Sequence, residues 1–253
     1  MCCWFRSFAL LGRTGWLPHT EPPTVFDEAL YSRAMNAHPP TSPADISPES
    51  FPPPLRELAA KVRDGVRLDE ADALLCLTTP HVLALGRLAD AVRRRLHGNV
   101  VYFNVNRHIN PTNVCVYTYN CKFCSFAALK GEAHAWEMSH EDVYAHAADQ
   151  GGNAVTEFHI VGGLHPSLPF SYYTDLLSGL KKVRPGIHLK CFTAVEIAFF
   201  ADHYGKTDTQ VLEELKAAGL DSLPGGGAEI FAPRVRQKIC HDKCHGPRYL
   251  SIH

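Results

Sequence analysis

Several things are missing from this sequence, and each absence removes a class of function. Net charge is nearly absent: 25 Lys and Arg stand against 26 Asp and Glu in 253 residues. Neutralising a phosphate backbone takes Lys and Arg in clusters, so no nucleic-acid partner is expected. No uninterrupted apolar run reaches the ~20 residues that span a bilayer, so no membrane partner is expected either. The apolar opening MCCWFRSFALLGRTGWL is short and broken by arginines. It reads as an irregular or miscalled start, with a weak targeting segment as the alternative. A secretory pattern is missing, so the expected compartment is the cytoplasm and a disulfide framework is not expected.

Cysteine, by contrast, is plentiful. There are nine, an odd number, and they are clustered. Cys115, Cys121 and Cys124 fall within ten residues, Cys240 and Cys244 form a second pair, and Cys2, Cys3, Cys76 and Cys191 stand alone. Clustered cysteines without secretory signs read as metal ligands. Cys191 lies inside a predicted strand and reads as a buried apolar residue.

Ten of the 18 prolines precede residue 55, and residues 1–50 show no sustained apolar period. That segment is predicted to be irregular. Residues 51–99 read as a helical lead. Leu55, Leu58 and Val62 sit at helical spacing before Gly65, Ala71–Leu77 makes a second short helix, and Val82, Leu85, Leu88, Ala89, Val92 and Leu96 make a third, closed by Gly98.

Residues 100–253 change rhythm. Val100–Val105 is β-branched and aromatic and reads as a strand. Ser139 with Asp142 caps a helix to about Gln150, before Gly151–Gly152. Thr156–Val161 is the next strand and Phe170 to Val183 the next helix. Ile187–Thr193 is a third strand. Thr207 with Gln210 caps a helix carrying Val211, Leu212 and Leu215, and Leu220–Leu223 makes a short fourth strand. Strand and helix alternate roughly every 30 residues. This predicts an α/β fold with a parallel sheet, and leaves a doubly wound sheet and a barrel both open. Gly162–Gly163 and Gly225–Gly227 follow strand ends, the edge where parallel α/β folds bind ligands.

Three thiolates in one loop can hold three irons of a cubane cluster and leave the fourth iron open. Soft sulfur donors suit an iron–sulfur cluster or zinc. Zinc would need a fourth ligand, for which His108 or His134 could serve. Cys240, His241, Cys244 and His245 form a second metal-type group with nothing distant to complete it.

The segment NRHINPTNVCVYTYNCKFCSFA, residues 106–127, resembles the radical S-adenosylmethionine (SAM) superfamily. Cys121-Lys122-Phe123-Cys124 matches its closing Cys-x-aromatic-Cys, whereas the first interval has five residues, Val116–Asn120, in place of the usual three. VTEFHIVGGLHPSLPFSYYTDLL, KCFTAVEIAFFA and ELKAAGLDSLPGGGAEIF resemble the menaquinone and deazaflavin branch. IHLKCFTAVEI, GGGAEIF and the helical lead LLCLTTPHVLALGRLADAVRRRLHGNVVYFNVNRHINPTN most resemble the aminofutalosine synthases, over about residues 60–250.

The resemblance implies a partial TIM-type (β/α) barrel of about four βα units behind an N-terminal helical segment. The family's barrel continues past Tyr249–His253, so a C-terminally truncated, unclosed barrel is expected. It implies a [4Fe–4S] cluster on Cys115, Cys121 and Cys124, with SAM as co-substrate. The SAM contacts it implies come from Phe123, Gly162, Gly163, Thr193 and Glu196. The glycines would face the amino group of the methionine part, and Glu196 the ribose hydroxyls or that same amino group. The Gly225–Gly227 turn with Glu229, and Arg234, are candidates for holding substrate. His165 is either a ligand contact or a loop residue. The implied reaction passes one electron to SAM, releasing methionine and a 5′-deoxyadenosyl radical. That radical adds to 3-[(1-carboxyvinyl)oxy]benzoate, and loss of a carboxylate as bicarbonate gives aminofutalosine. The implied partners are this small-molecule substrate and a one-electron donor such as flavodoxin or ferredoxin. Alternatives are cyclic dehypoxanthinyl futalosine synthase, a deazaflavin synthase, or a degenerate or zinc-binding scaffold with no activity.

Overall fold

The computed structural model describes residues 46–148 and 155–253. Nearly all of the segment predicted to be irregular, and the predicted helix end at Gln150 with Gly151–Gly152, lie outside the described residues. The chain divides into two compact units between Val101 and Tyr102.

In the first unit, 3-10 turns at Pro48–Ser50 and Pro53–Leu55 lead into three helices: α1 (Arg56–Asp64), α2 (Glu70–Thr78) and α3 (Val82–His97). Gly65 stops α1 at φ 69°, a conformation glycine adopts without steric cost. Asp69 and Asp72 form a reciprocal cap at the start of α2, and Lys61 reaches Asp72 at 2.9 Å. Leu55, Leu58, Ala59, Val62, Leu88 and Ala91 bury against Ile46 and Phe51. Val82 and Leu96 of the predicted α3 stripe stand exposed.

The second unit is built on a three-stranded parallel sheet in the order β1 (Asn106–Ile109), β2 (Glu157–Ile160), β3 (His188–Cys191). Around it lie α4 (His140–Ala148), α5 (Phe170–Val183), α6 (Ala194–Tyr204), α7 (Asp208–Ala217), α8 (Pro233–Ile239) and α9 (Gly246–Ile252). Alternation gives the sheet two unlike faces. Ile109, Phe158, Ile160, Leu189 and Cys191 point into a core shared with Val143 and Ala147 of α4, Val211 and Leu215 of α7, and Tyr173, Leu176, Leu177 and Leu180 of α5. Asn106, His108, Glu157, His159, His188 and Lys190 occupy the other face. The helix caps read from sequence are present: Thr207 with Gln210, and Ser139 with Asp142.

Two predicted strands are corrected. The first lies at Asn106–Ile109, not Val100–Val105. Pairing with Glu157–Ile160 sets its position, and the apolar run before it is exposed, Phe103 at 88 %. Composition marks a segment as strand-like, but only a paired neighbour makes it one. Leu220–Leu223 contributes a single parallel bridge, Ser222 to Lys190. There Asp221 turns its carboxylate onto the Leu189 N–H and Lys181, ending the pairing. The described residues therefore hold three strands and a bridge where about four βα units were predicted. No helix among them is long and apolar enough to cross a membrane.

Candidate functional site

The cysteine loop leaves the C-terminal end of β1. Its base is pinned by Asn113, which is fully buried. The Asn113 amide donates to the carbonyls of Phe126 (3.2 Å) and His134 (2.9 Å), and its oxygen accepts the Trp136 N–H at 2.8 Å. Thr112 donates to the Trp136 carbonyl at 2.8 Å. Each such buried bond contributes about 1 kcal/mol, and an orphaned partner would cost more. Neither residue was picked out from sequence. A polar Asn-Pro-Thr-Asn run directly after a strand was the available signal.

Above this base, the five residues between Cys115 and Cys121 close as a turn. Thr118 bonds the Cys115 carbonyl, the Cys121 N–H bonds the Tyr117 carbonyl, and Tyr119 takes φ 70°. The Cys124 N–H then bonds the Cys121 carbonyl at 3.0 Å. Cys121 is buried, Cys115 half-buried and Cys124 exposed. Burial chiefly, then the neighbouring Cys124 and Glu196, raises the Cys115 thiol. Burial pushes Cys121 up to about 11, against the pull of the Lys243 ammonium. The three thiols thus lie within one another's electrostatic reach. No three His, Cys, Asp or Glu among the described residues stand together as a ready metal cage. As a donor set, three soft thiols on one loop fit an iron–sulfur cluster, whose binding would take the protons off them. The zinc alternatives gain no such grouping. His108 stacks on His159 of the sheet, His134 sits 3.8 Å from Glu132, and His245 caps α9.

The loop is clasped from one side by the connection between α8 and α9. The Lys122 N–H bonds the Ile239 carbonyl at 2.8 Å, and Asn120 bonds Asp242 at 2.5 Å. Lys243 lies over the Phe123 ring at 5.1 Å while pairing with Glu229 at 2.8 Å.

On the other side the loop runs against the turn after β2. A β-carbon on Gly163 would sit 2.1 Å from the Val114 carbonyl oxygen, and one on Gly162 would sit 3.0 Å from that of Thr112. Glycine is needed here because the cysteine loop crosses this close. The Gly163 N–H bonds Thr112 O (2.8 Å), and the Val116 N–H bonds Leu164 O (2.9 Å).

Glu196 joins this turn to the end of β3. It is buried in the first turn of α6, not solvated. Its two oxygens accept the Thr193 N–H at 2.6 Å and the Gly162 N–H at 3.2 Å, and its own N–H bonds the Thr193 hydroxyl. Burial raises its carboxyl to about 7, and these hydrogen bonds pull the other way. Thr193 and Glu196 therefore already hold backbone.

The Gly225–Gly227 turn packs on Thr193 and Val195, with Gly227 at φ 86°. Its carbonyls are gripped from behind. Tyr249 donates to Gly225 and Gly226, and buried Arg236 donates to Gly227, Ala228, Ile230 and Cys244. Arg234, the arginine singled out from sequence, is exposed on α8, and the structural arginine is two residues on. His165 is buried. Its Nδ1 accepts the Ser167 and Leu168 N–H groups, which places the ring proton on Nε2, 3.2 Å from Glu137.

No family model matches the chain. It is 46% identical over 198 residues to the aminodeoxyfutalosine synthase of Streptomyces coelicolor, covering 78% of this chain and 51% of that protein. It is 41% identical over 201 residues to the aminodeoxyfutalosine synthase of Thermus thermophilus, covering 79% and 54%. It is also 41% identical over 195 residues to the 5-amino-6-(D-ribitylamino)uracil–L-tyrosine 4-hydroxyphenyl transferase of Methanopyrus kandleri, covering 77% and 51%. Among solved structures it shares its fold with methylornithine synthase (PylB), at TM-score 0.52, 17% identity and 76% and 53% coverage. It shares it also with HydG, a maturase of the [FeFe]-hydrogenase, at TM-score 0.55, 14% identity and 88% and 45% coverage. The parallel βα arrangement is thus part of a TIM-type barrel of the radical SAM kind. The chain spans about half the length of the curated relatives it matches, and over that span its likeness is to the aminodeoxyfutalosine synthases and their radical SAM relatives.

Proposed function

We propose that this chain is part of a radical SAM enzyme of menaquinone biosynthesis. Its reaction transfers the 5′-deoxyadenosyl group of SAM to 3-[(1-carboxyvinyl)oxy]benzoate, giving aminofutalosine, methionine and bicarbonate. The observation that carries the reading is the 46% identity over 198 residues to an aminodeoxyfutalosine synthase. Cys115, Cys121 and Cys124 would hold the [4Fe–4S] cluster. When bound, the cluster supplies the electron that breaks the C–S bond of SAM. The chain's own residues do the rest by position. Gly162 and Gly163 let the cysteine loop and the β2 turn share one edge of the sheet, where SAM would sit. Glu196 and Thr193 fix the Gly162 amide and the start of α6 beside it. Phe123 supplies an apolar wall, and Lys243 a cation next to it. Flavodoxin or ferredoxin as donor, and the cytoplasm as compartment, belong to the same reading.

The natural protein, purified and reconstituted without oxygen, is expected to hold about four irons. Cys121→Ala and Cys124→Ala should lose the brown absorbance. Incubated with SAM and the enol ether, it should form adduct without matching free 5′-deoxyadenosine, read by mass spectrometry. Full iron content in both variants would remove the cluster from these residues. A second reading, a deazaflavin-type synthase, is favoured by the 41% identity to the Methanopyrus transferase. Turnover of tyrosine with 5-amino-6-(D-ribitylamino)uracil, and not of the enol ether, would decide for it. Turnover of dehypoxanthine futalosine alone would decide for the cyclase.

A further inference from the structure

The residues assigned above lie in the loops and helix starts that follow the strands. The polar face of the sheet itself carries a second constellation. Parallel register places His108, His159 and Lys190 in one row across the three strands, with Asn106, Glu157 and His188 in the row beneath. The two imidazoles stack, with centroids 4.5 Å apart and planes inclined by 17°. Lys190 Nζ donates to Glu157 Oε1 at 2.7 Å, and Asn106 Nδ2 donates to the same oxygen at 3.3 Å. Glu157 is buried, Lys190 and His159 are half-buried, and His108 is exposed.

An ammonium has three N–H donors, and the bond to Glu157 uses one. Glu157 thus pins the cation beside the imidazole stack and leaves two donors for something else. Burial first, then the nearby His108 and Lys190, holds His159 below the ordinary histidine range. The stack therefore offers a flat aromatic surface with a fixed cation at one end. The row occupies the third residue of each four-residue strand, near the C-terminal ends. The cysteine loop and the Gly162–Gly163 turn leave from those same ends, where parallel sheets meet their ligands.

We propose that the His108–His159–Lys190 row recognises an aryl carboxylate, the ring lying against the imidazole stack and the carboxylate taking the free donors of Lys190. This rests on the reading of a substituted benzoate as substrate, and assigns that substrate's benzoate end to the sheet. SAM also carries a carboxylate, so the test separates the two sources.

The experiment is calorimetric titration of the natural protein with benzoate, its neutral isostere benzamide, the enol ether, and SAM. Lys190→Gln should weaken benzoate and the enol ether about tenfold or more, the loss of one charge-assisted hydrogen bond. Benzamide and SAM affinities should stay within about twofold, since neither uses that bond. Lys190→Gln alone orphans buried Glu157, so the double variant Glu157→Gln/Lys190→Gln, which buries no lone charge, must show the same selective loss with a cooperative melt. Wild-type benzoate affinity in the folded double variant overturns the proposal. So does an equal loss of SAM affinity, which would move the row to the methionine carboxylate. Wild type binding benzoate no better than benzamide overturns it whatever the enzyme turns over. Benzoate selectivity that depends on Lys190, in a protein that converts another substrate of the branch, supports the row and removes the proposed function instead.

Discussion

Glu196 gives the most quantitative handle on the site. Its carboxylate is buried in the first turn of α6, bonded to two backbone N–H groups, and raised by burial from 4.5 to about 7. The hydrogen bonds favour the charged form, yet burial outweighs them. The sign follows from linkage. Because the folded pKa lies above the unfolded one, the folded state holds this proton more tightly. Its contribution to stability is full below about pH 4.5 and is lost as pH rises to about 7, beyond which it is flat. At 1.36 kcal/mol per unit, the swing is about 3 kcal/mol. Glu196→Gln removes the titration, with little change in shape, at the cost of one N–H partner. Urea unfolding of the apo protein and the variant at pH 5, 6, 7 and 8 isolates the term as a difference, cancelling titrations common to both. Wild type should lose stability relative to Glu196→Gln across this range, mostly between pH 5 and 7. A difference independent of pH would show that Glu196 stays ionised in the folded state, and that its two backbone bonds outweigh its burial.

Four further substitutions probe the same framework. Gly163→Ala would bring a β-carbon to 2.1 Å from backbone at Val114, so it should destabilise by at least about 2 kcal/mol in urea melts, on the scale of overpacking. Gly162→Ala, at 3.0 Å from the Thr112 oxygen, should cost clearly less, and equal effects would refute the close crossing of the loop. Arg236→Met leaves the carbonyls of Ala228, Ile230 and Cys244 without this donor and should cost about 3 kcal/mol or more. Arg234→Met, on the exposed side of α8, should fall within about 0.5 kcal/mol of wild type.

Sequence reading went furthest where the signal is local. A cap needs two polar residues three apart, and Ser139–Asp142 and Thr207–Gln210 both close as that spacing requires. The second and third strands are placed within a residue or two, since Phe158, Ile160, Leu189 and Cys191 alternate with polar neighbours. The first strand is misplaced by composition because Val100–Phe103 is strand-like but exposed, with bonding to the next strand's lead beginning only at Val105, and pairing is not a local property. The same limit explains the arginines. Arg234 and Arg236 look alike in sequence, and only the fold of the Gly225–Ile230 turn over α8 shows which guanidinium is surrounded by carbonyls. Glu196 is marked by the resemblance as a SAM contact, and what only tertiary packing adds is its burial as a strut between two loops.

The unusual spacing between Cys115 and Cys121 can be understood from the same contacts. Two extra residues lengthen the path between the first two thiols, and a longer loop has more conformations to lose on closing. The fold offsets this in two ways. Inside the loop, Tyr119 in the left-handed region turns the chain back, so that the Cys121 N–H still reaches the Tyr117 carbonyl. Outside it, the connection between α8 and α9 takes hold of the added length: Asn120 bonds Asp242, Lys122 bonds Ile239, and Lys243 covers Phe123. The residues that tether the loop thus lie about 120 positions further along the sequence. This also gives a role to the Cys240–Cys244 segment other than a metal site. Cys240 is buried, its carbonyl accepts the Lys243 N–H, and the segment presents Asp242 and Lys243 to the cysteine loop. The lengthened interval is thus held from outside by contacts that Ile239, Asp242 and Lys243 make with Lys122, Asn120 and Phe123.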